Sequence, residues 1–234
     1  MCAYQVEYVF TFPDSKKEKF HYCFNDNPFE LIQKPIDNPP EWIKLKFHQC
    51  DNCSLKPDES PYCPQAANLL PLIRTFGNVV SYEPVHLEVV ADQRTISQDT
   101  TVARGVSSLM GLLIATCGCP VTRFFIPMGR FHLPFASHEE TMFRAAATFL
   151  LNQYFLKKDG HPSCVELDGL LKVYKEIQKV NHAMLKRLKT AVQTDSAVNA
   201  LILLDVYAKF ALIDLDECLD EIRYLFQPFL KSCQ

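Results

Sequence analysis

Tyr4, Val6, Tyr8, Phe10 and Phe12 alternate with Gln5, Glu7 and Thr11 at the start of the chain. Side chains change face at every residue of a strand, so this period of two predicts a half-buried strand. Pro13-Asp14-Ser15-Lys16-Lys17 reads as a turn, after which Phe20, Tyr22 and Phe24 resume the alternation. Together they predict an antiparallel hairpin, which sets a sheet at the head of the fold. Ile43, Leu45 and Phe47, with Lys44, Lys46 and His48 on the opposite face, predict a third strand. Val85, Leu87 and Val89 predict a fourth. Between hairpin and third strand, residues 25–40 carry Pro28, Pro35, Pro39 and Pro40 and read as loop.

Helical signals then take over. Cys63 sits at a helix start with Pro64 in the first position and Gly77 as terminator, although Pro71 predicts a kink or an early stop. Residues 101–116 are apolar and helical in length. Ser137-His138-Glu139-Glu140 is a capping box for a helix reaching about Leu156. Beyond Gly160-His161-Pro162, Leu167, Leu170, Leu171, Tyr174, Ile177, Met184, Leu185 and Leu188 recur at helical spacing. Asp195 is placed to cap the next helix, and Asp214 with Glu217 makes a further capping box. The class is α+β: a small, mostly antiparallel sheet in the N-terminal half packed with helices, then a C-terminal helical bundle. Residues 1–160 and 161–234 read either as two units or as one continuous domain.

Composition narrows the class. The 234 residues are 48% hydrophobic and 12% aromatic, which does not fit disorder, and seven glycines leave no room for a collagen-like repeat. A net charge of −3 and a pI near 6.2 give no whole-chain attraction to nucleic acid or anionic membranes. The longest uncharged stretch, residues 105–122, contains Ser107, Ser108, Gly111, Gly118 and Pro120, so a buried helix followed by a loop is expected rather than a membrane span. The N-terminus lacks a charged start and apolar run, so a cytoplasmic setting is expected. In that reducing compartment, ten cysteines suggest metal ligands or redox groups before disulfides.

Cys50-Asp51-Asn52-Cys53 is followed nine residues later by Cys63-Pro64. Two thiolates separated by two residues chelate one ion through a tight turn, and a helix N-terminus at Cys63 favours a third thiolate. His48 would share a face with Cys50 in extended chain, which makes His48, Cys50, Cys53 and Cys63 a candidate zinc set. Cys119 or Cys117 is the alternative fourth ligand, and four cysteines would also suit an iron–sulfur cluster. A set of unrelated packed thiols is the plain alternative.

Cys119 and His132 are the candidate catalytic pair, since a thiolate nucleophile needs an adjacent base. Against this, Cys119 follows an apolar helix, whose C-terminal dipole disfavours a thiolate. Arg104, Arg123 and Arg130, with Arg94 and Arg144, are candidates to bind an anion if they converge. The sequence holds no phosphate-binding glycine loop and no metalloprotease or nucleophile-elbow motif. Lys172, Lys175, Lys179, Lys186, Arg187 and Lys189 make one helix basic, while Asp214, Asp216, Glu217, Asp220 and Glu221 make the last one acidic. Complementary bundle faces or solvated surfaces account for both, and the lack of interleaved aromatics argues against nucleic acid. The run from Ala200 to Leu204 suits a bundle core or a dimer interface.

Cys50-x-x-Cys53, Cys63-Pro64, Gly118-Cys119-Pro120 and Arg130-Phe131-His132-Leu133-Pro134-Phe135 together resemble an uncharacterised bacterial domain family. The resemblance spans most of the chain, its first two-thirds most clearly. It implies a bacterial cytosolic origin and assigns no catalytic residue. The expected function is a zinc-stabilised cytosolic binding or regulatory protein, with a protein partner or self-association through its helical half. The first alternative is an enzyme acting on a small anionic substrate through Cys119, His132 and the arginines; the second is an iron–sulfur or thiol redox sensor. A pocket where His132 meets Cys119 or two arginines would favour the enzyme.

Overall fold

The N-terminal alternation forms its hairpin: β1 (Tyr4–Thr11) pairs antiparallel with β2 (Lys17–Phe24), Val6 opposite Tyr22 and Tyr8 opposite Phe20. The computed structural model describes residues 2–33, 35–192 and 195–232; for 196, 207, 209–214 and 216 it describes the backbone alone. The other edge of β1 pairs with β3 (Pro84–Ala91), which holds Val85, Leu87 and Val89 on its buried face. β3 turns back into β4 (Arg94–Thr101), giving an antiparallel sheet in the order β2-β1-β3-β4. β4 is an edge strand of sequence Arg-Thr-Ile-Ser-Gln-Asp-Thr-Thr, mostly exposed, so it carries no apolar alternation for a sequence reading to find.

The third strand expected at Ile43–Phe47 does not form. Glu41–Ile43 is a 3-10 helix followed by turns, with His48 at φ 44°. Ile43 and Leu45 are buried and Lys44 and Lys46 exposed, so the alternation reports burial correctly but not backbone conformation. The segment is held by single bonds, Cys63 N–H to Ile43 O at 2.9 Å and Leu45 N–H to Pro61 O at 2.9 Å. Without an extended chain, the argument that places His48 beside Cys50 is lost.

Two helices cover the sheet. α1 (Pro64–Phe76) begins at Cys63 and ends at Gly77, running past Pro71 without the early stop expected there. α2 (Val102–Thr116) is buried almost all round, as a helix enclosed between layers must be. A Cβ on Gly105 would come within 2.7 Å of the Phe10 ring, so glycine lets α2 lie directly on the sheet. Phe76 of α1 meets Phe10 and Phe20 at ring-centroid distances of 4.8 and 5.6 Å. Among the described residues no helix is long and apolar enough to cross a membrane.

Behind α2 lie α3 (Ile126–Arg130), α4 (His138–Lys158), α5 (Asp168–Ala191), α6 (Ser196–Glu221) and the short α7 (Gln227–Ser232). The Ser137 hydroxyl caps Glu140 N–H at 3.1 Å and the Glu140 carboxylate returns to Ser137 N–H at 2.7 Å, the reciprocal capping box expected. Asp195 does not cap α6 with its side chain; its carboxylate instead accepts from Ser81 N–H and Oγ, both at 3.1 Å, tying the bundle to the start of β3. The capping box expected at Asp214 and Glu217 does not start a helix, because α6 runs through both positions; the Asp214 side chain lies outside the described residues. Met184, Leu188, Ala197, Ala200 and Leu201 join the core formed by the sheet with α1 and α2, while Met142, Phe149, Leu170 and Tyr174 centre a second one. The fold is α+β, with its antiparallel sheet in the N-terminal half.

Candidate binding cavity and thiol cluster

A cavity of about 460 Å³ opens where α2, the loop after α3, α4, α5 and α6 meet. Apolar groups from Ile114, Phe125, Met128, Leu133, Ile177 and Leu204 line much of it. Among the described residues its charged groups are Arg104 and Arg144, with His132 beside them; no described acid or thiol lines it, while Asp205 accepts from the lining Asn181 at 3.0 Å and the Glu140 charge acts on Arg144. Ser107, Ser108, Thr141 and Asn181 add hydrogen-bonding groups. Small-molecule sites are built in this way, apolar walls carrying a few convergent polar groups.

Each polar group has a structural origin. Arg144 leaves α4 one turn beyond the capping box and donates from Nη2 to Met128 O at 2.7 Å and Phe131 O at 2.8 Å. It thereby fixes the loop that carries His132. His132 Nε2 meets the Tyr8 hydroxyl, which in turn lies 3.2 Å from Ser108 Oγ. Burial, then the neighbouring Arg144 charge, depresses the His132 pKa to about 3, so the ring is neutral at physiological pH. Burial likewise raises the Tyr8 phenol, with the Ser108 bond opposing it. These shifts keep both groups neutral, so Ser108, Tyr8 and His132 form an uncharged hydrogen-bonded chain.

The expected arginine convergence is partial. Arg104 and Arg144 reach the cavity; Arg123 is exposed on the 3-10 helix Thr122–Phe125, and Arg94 is exposed on β4. Arg130 stacks over Tyr4 at 4.5 Å and Phe29 at 5.6 Å, packing its guanidinium against aromatic faces outside the cavity. Cys119 does not line the cavity with His132.

Cys119 belongs to another neighbourhood. Gly118 at φ 80° turns the chain after α2, so Cys119 enters the next helical turn, where Val121 and Thr122 N–H groups reach its sulfur. The Cys117 thiol donates to Ile114 O at 3.2 Å. Its interaction with Cys119, opposed by burial, lowers the Cys119 pKa while Cys117 is raised. Cys63, at the N-cap of α1, makes no side-chain cap hydrogen bond, and burial raises its thiol. Burial also pushes Cys50 up to about 12, and the nearby Cys63, Cys119 and Cys53 add to that rise. Cys53 closes on Cys50 through a turn, Cys53 N–H to Cys50 O at 3.0 Å. Cys50, Cys53, Cys63 and Cys119 thus share one electrostatic neighbourhood. His48 is exposed against the Phe47 ring and is not among the groups acting on these thiols. Among the described residues, no group of three or more His, Cys, Asp or Glu side chains is already gathered in a metal-holding arrangement.

The neighbourhood contains one feature that sequence reasoning placed wrongly. Arg187, read as part of a basic face, is 1% exposed. It donates to Trp42 O at 2.7 Å, Lys44 O at 2.8 Å and Leu45 O at 2.9 Å, and its Nε has no hydrogen-bond partner. Cys63, Cys50 and Cys53 are the groups that act on its charge against burial. Position supplied the missed signal: Arg187 falls one turn after Met184 and beside Leu188, within the apolar stripe. No curated protein and no solved structure matches the chain. A family comparison does match residues 6–227, almost the whole chain, and on that match the chain belongs to the family of the domain of unknown function DUF6901.

Proposed function

We propose that this chain is an intracellular binding protein whose cavity takes a small amphipathic anion, an apolar body carrying a carboxylate-class head. The carrying observation is the presence of Arg104 and Arg144 at one largely apolar cavity. Guanidinium groups recognise carboxylates by charge-assisted, often bidentate hydrogen bonds. Neutral His132 adds a polar group without a competing charge. His132 does meet two arginines here, the arrangement expected of the enzyme, but no cysteine is among the described lining residues, so the geometry supports anion binding without supporting a thiol nucleophile. Cys50, Cys53, Cys63, Cys117 and Cys119 are free thiols, which suits a reducing cytoplasm.

Titration with a fluorescent long-chain carboxylate tests this reading. Wild-type protein is expected to bind it in preference to the matching neutral alcohol. Arg104→Gln is expected to weaken carboxylate affinity by about tenfold or more, the scale of one charge-assisted bond, and to leave the alcohol unaffected. Arg104 is the choice because Arg144 also holds the loop carbonyls. Equal binding of acid and alcohol by the wild type would refute the anionic assignment.

A second observation favours self-association through the helical half. Phe143, Leu150, Leu151 and Tyr154 are 47, 42, 57 and 58% exposed and fall on one stripe of α4, opposite the buried Met142, Ala145, Ala146 and Phe149. Exposed apolar patches of this kind mark interaction surfaces. Light scattering across a concentration series is expected to show a dimer, converted to monomer by Leu151→Lys with Tyr154→Lys. A wild type that stays monomeric at every concentration removes this reading.

A further inference from the structure

Lys175, Lys179, His182 and Lys186 recur at intervals of four, three and four residues along α5, the spacing that brings side chains onto one face of a helix. All four are exposed, while Ile177, Met184 and Leu188 bury the opposite face. The stripe lines one side of a hollow of about 550 Å³, and His48, Gln49, Cys50 and Asp51 line another. We infer that this hollow binds a compact polyphosphate, two or three linked phosphate groups standing alone or at the end of a nucleotide. It shares no lining residue with the cavity of Arg104 and Arg144, so it is a second site.

The loop side is fixed before any ligand arrives. The Asn52 amide ties it to α5, donating to Glu176 Oε2 at 2.8 Å and Glu176 O at 3.1 Å. Gln49 Nε2 donates to Leu55 O at 3.1 Å, and Cys53 N–H to Cys50 O at 3.0 Å. A wall held in this way lowers the ordering cost of binding. The charge balance favours an anion: two carboxylates, Asp51 and Asp205, face three lysines and two imidazoles. Asp205 is 7% exposed and accepts from Asn181 at 3.0 Å, so the contact between α5 and α6 engages it. Glu176 holds Lys179 at 2.7 Å, but Lys175 and Lys186 have no carboxylate partner among the described residues.

Ammonium groups in series select the ligand. Lys175 and Lys186 are eleven residues apart, about 16 Å along the helix, so one carboxylate meets only one of them. Linked phosphates carry charge on every unit and meet several. Lysine binds phosphate as a point charge, whereas bidentate recognition of a carboxylate calls for arginine. The volume is that of a small-molecule site. Among the described residues no Phe, Tyr or Trp lines the hollow, so it lacks the stacking platform of a single-stranded nucleic-acid groove.

Calorimetric titration of the full chain with inorganic triphosphate, at about 0.15 M salt, is expected to show one site. Affinity is expected to fall from triphosphate to diphosphate to monophosphate, and to decline as salt rises. Lys175→Glu with Lys186→Glu is expected to weaken triphosphate binding about twentyfold or more, two contacts at about fivefold each. Lys157→Glu with Lys158→Glu makes the same change of charge at the exposed end of α4 and is expected to cost less than about twofold. All four side chains are exposed, so both variants are expected to keep the wild-type urea midpoint. A nucleoside triphosphate identifies the source: equal affinity means that the phosphate chain alone is read, and tighter binding that the base is read as well. Either supports the site. Absence of triphosphate binding overturns it. So does equal weakening in both double variants, or tighter binding of a single-stranded oligonucleotide than of triphosphate.

Discussion

Exchanging Arg187 for methionine is expected to destabilise the fold by about 3–5 kcal/mol, the range for removing one partner of a buried charged network. The side chain is 1% exposed and its Nη atoms hold the Trp42, Lys44 and Leu45 carbonyls at 2.7–2.9 Å. Those carbonyls belong to a segment that is neither strand nor α-helix and makes few other main-chain bonds. Methionine fills a similar apolar volume, so the loss would come from stranded acceptors rather than from a void: Lys44 O keeps the Phe47 N–H at 3.1 Å, while Trp42 O and Leu45 O are left unpaired at about 1–3 kcal/mol each. Arg187→Lys offers a single ammonium for a planar fork that reaches three oxygens, and about half the loss is expected to remain. Urea denaturation reads the effect as a lower midpoint at constant slope. A loss below about 1 kcal/mol would show that the segment from Trp42 to Leu45 is held by something other than this guanidinium.

The same residue shows where sequence reasoning reached and where it stopped. Local, periodic information was legible: the hairpin from Tyr4 and Phe24, α1 from its Cys63-Pro64 start, and α4 from its capping box. These features depend on neighbours a few positions away. The third strand failed because alternation records which side chains are buried, and an irregular segment pinned by Arg187 buries Ile43 and Leu45 just as a strand would. β4 was invisible because an exposed edge strand needs no apolar face. The site divides in the same way. His132 and the thiols stood out by residue type, but their partners did not. Tyr8 reaches His132 across 124 positions, and Arg187 reaches Trp42 across 145. Gly118 at φ 80° turns the chain between α2 and Cys119, and Cys119 does not line the cavity; no spacing rule encodes that separation. Buried polar atoms on apolar stripes were the available clue, since a phenol hydroxyl or guanidinium in a core requires a partner.

Acid is expected to unfold this protein more steeply than a matched variant without the His132 imidazole. Folded His132 has its pKa depressed to about 3 against an ordinary value of 6.5. The unfolded chain therefore binds a proton that the folded chain refuses throughout that window. Stability from this group is fully present above pH 6.5 and declines as pH falls, by about 1.4 kcal/mol per unit for one proton. Allowing for partial exposure of the ring, the total is about 4 kcal/mol by the lower end of the window. The groups facing the ring fix the sign: Tyr8, from β1, hydrogen-bonds to Nε2; Ser108, from α2, supports Tyr8; and the Arg144 cation, from α4, opposes a second positive charge. Arg104, also from α2, adds positive charge at the same cavity. His132→Gln keeps an acceptor for the Tyr8 hydroxyl but cannot titrate. Urea midpoints measured every half unit from pH 7 to 4 are expected to fall more gently in the variant, by one proton equivalent. Parallel decline in both proteins would place the acid-sensitive group elsewhere and leave His132 exposed enough to protonate in the native fold.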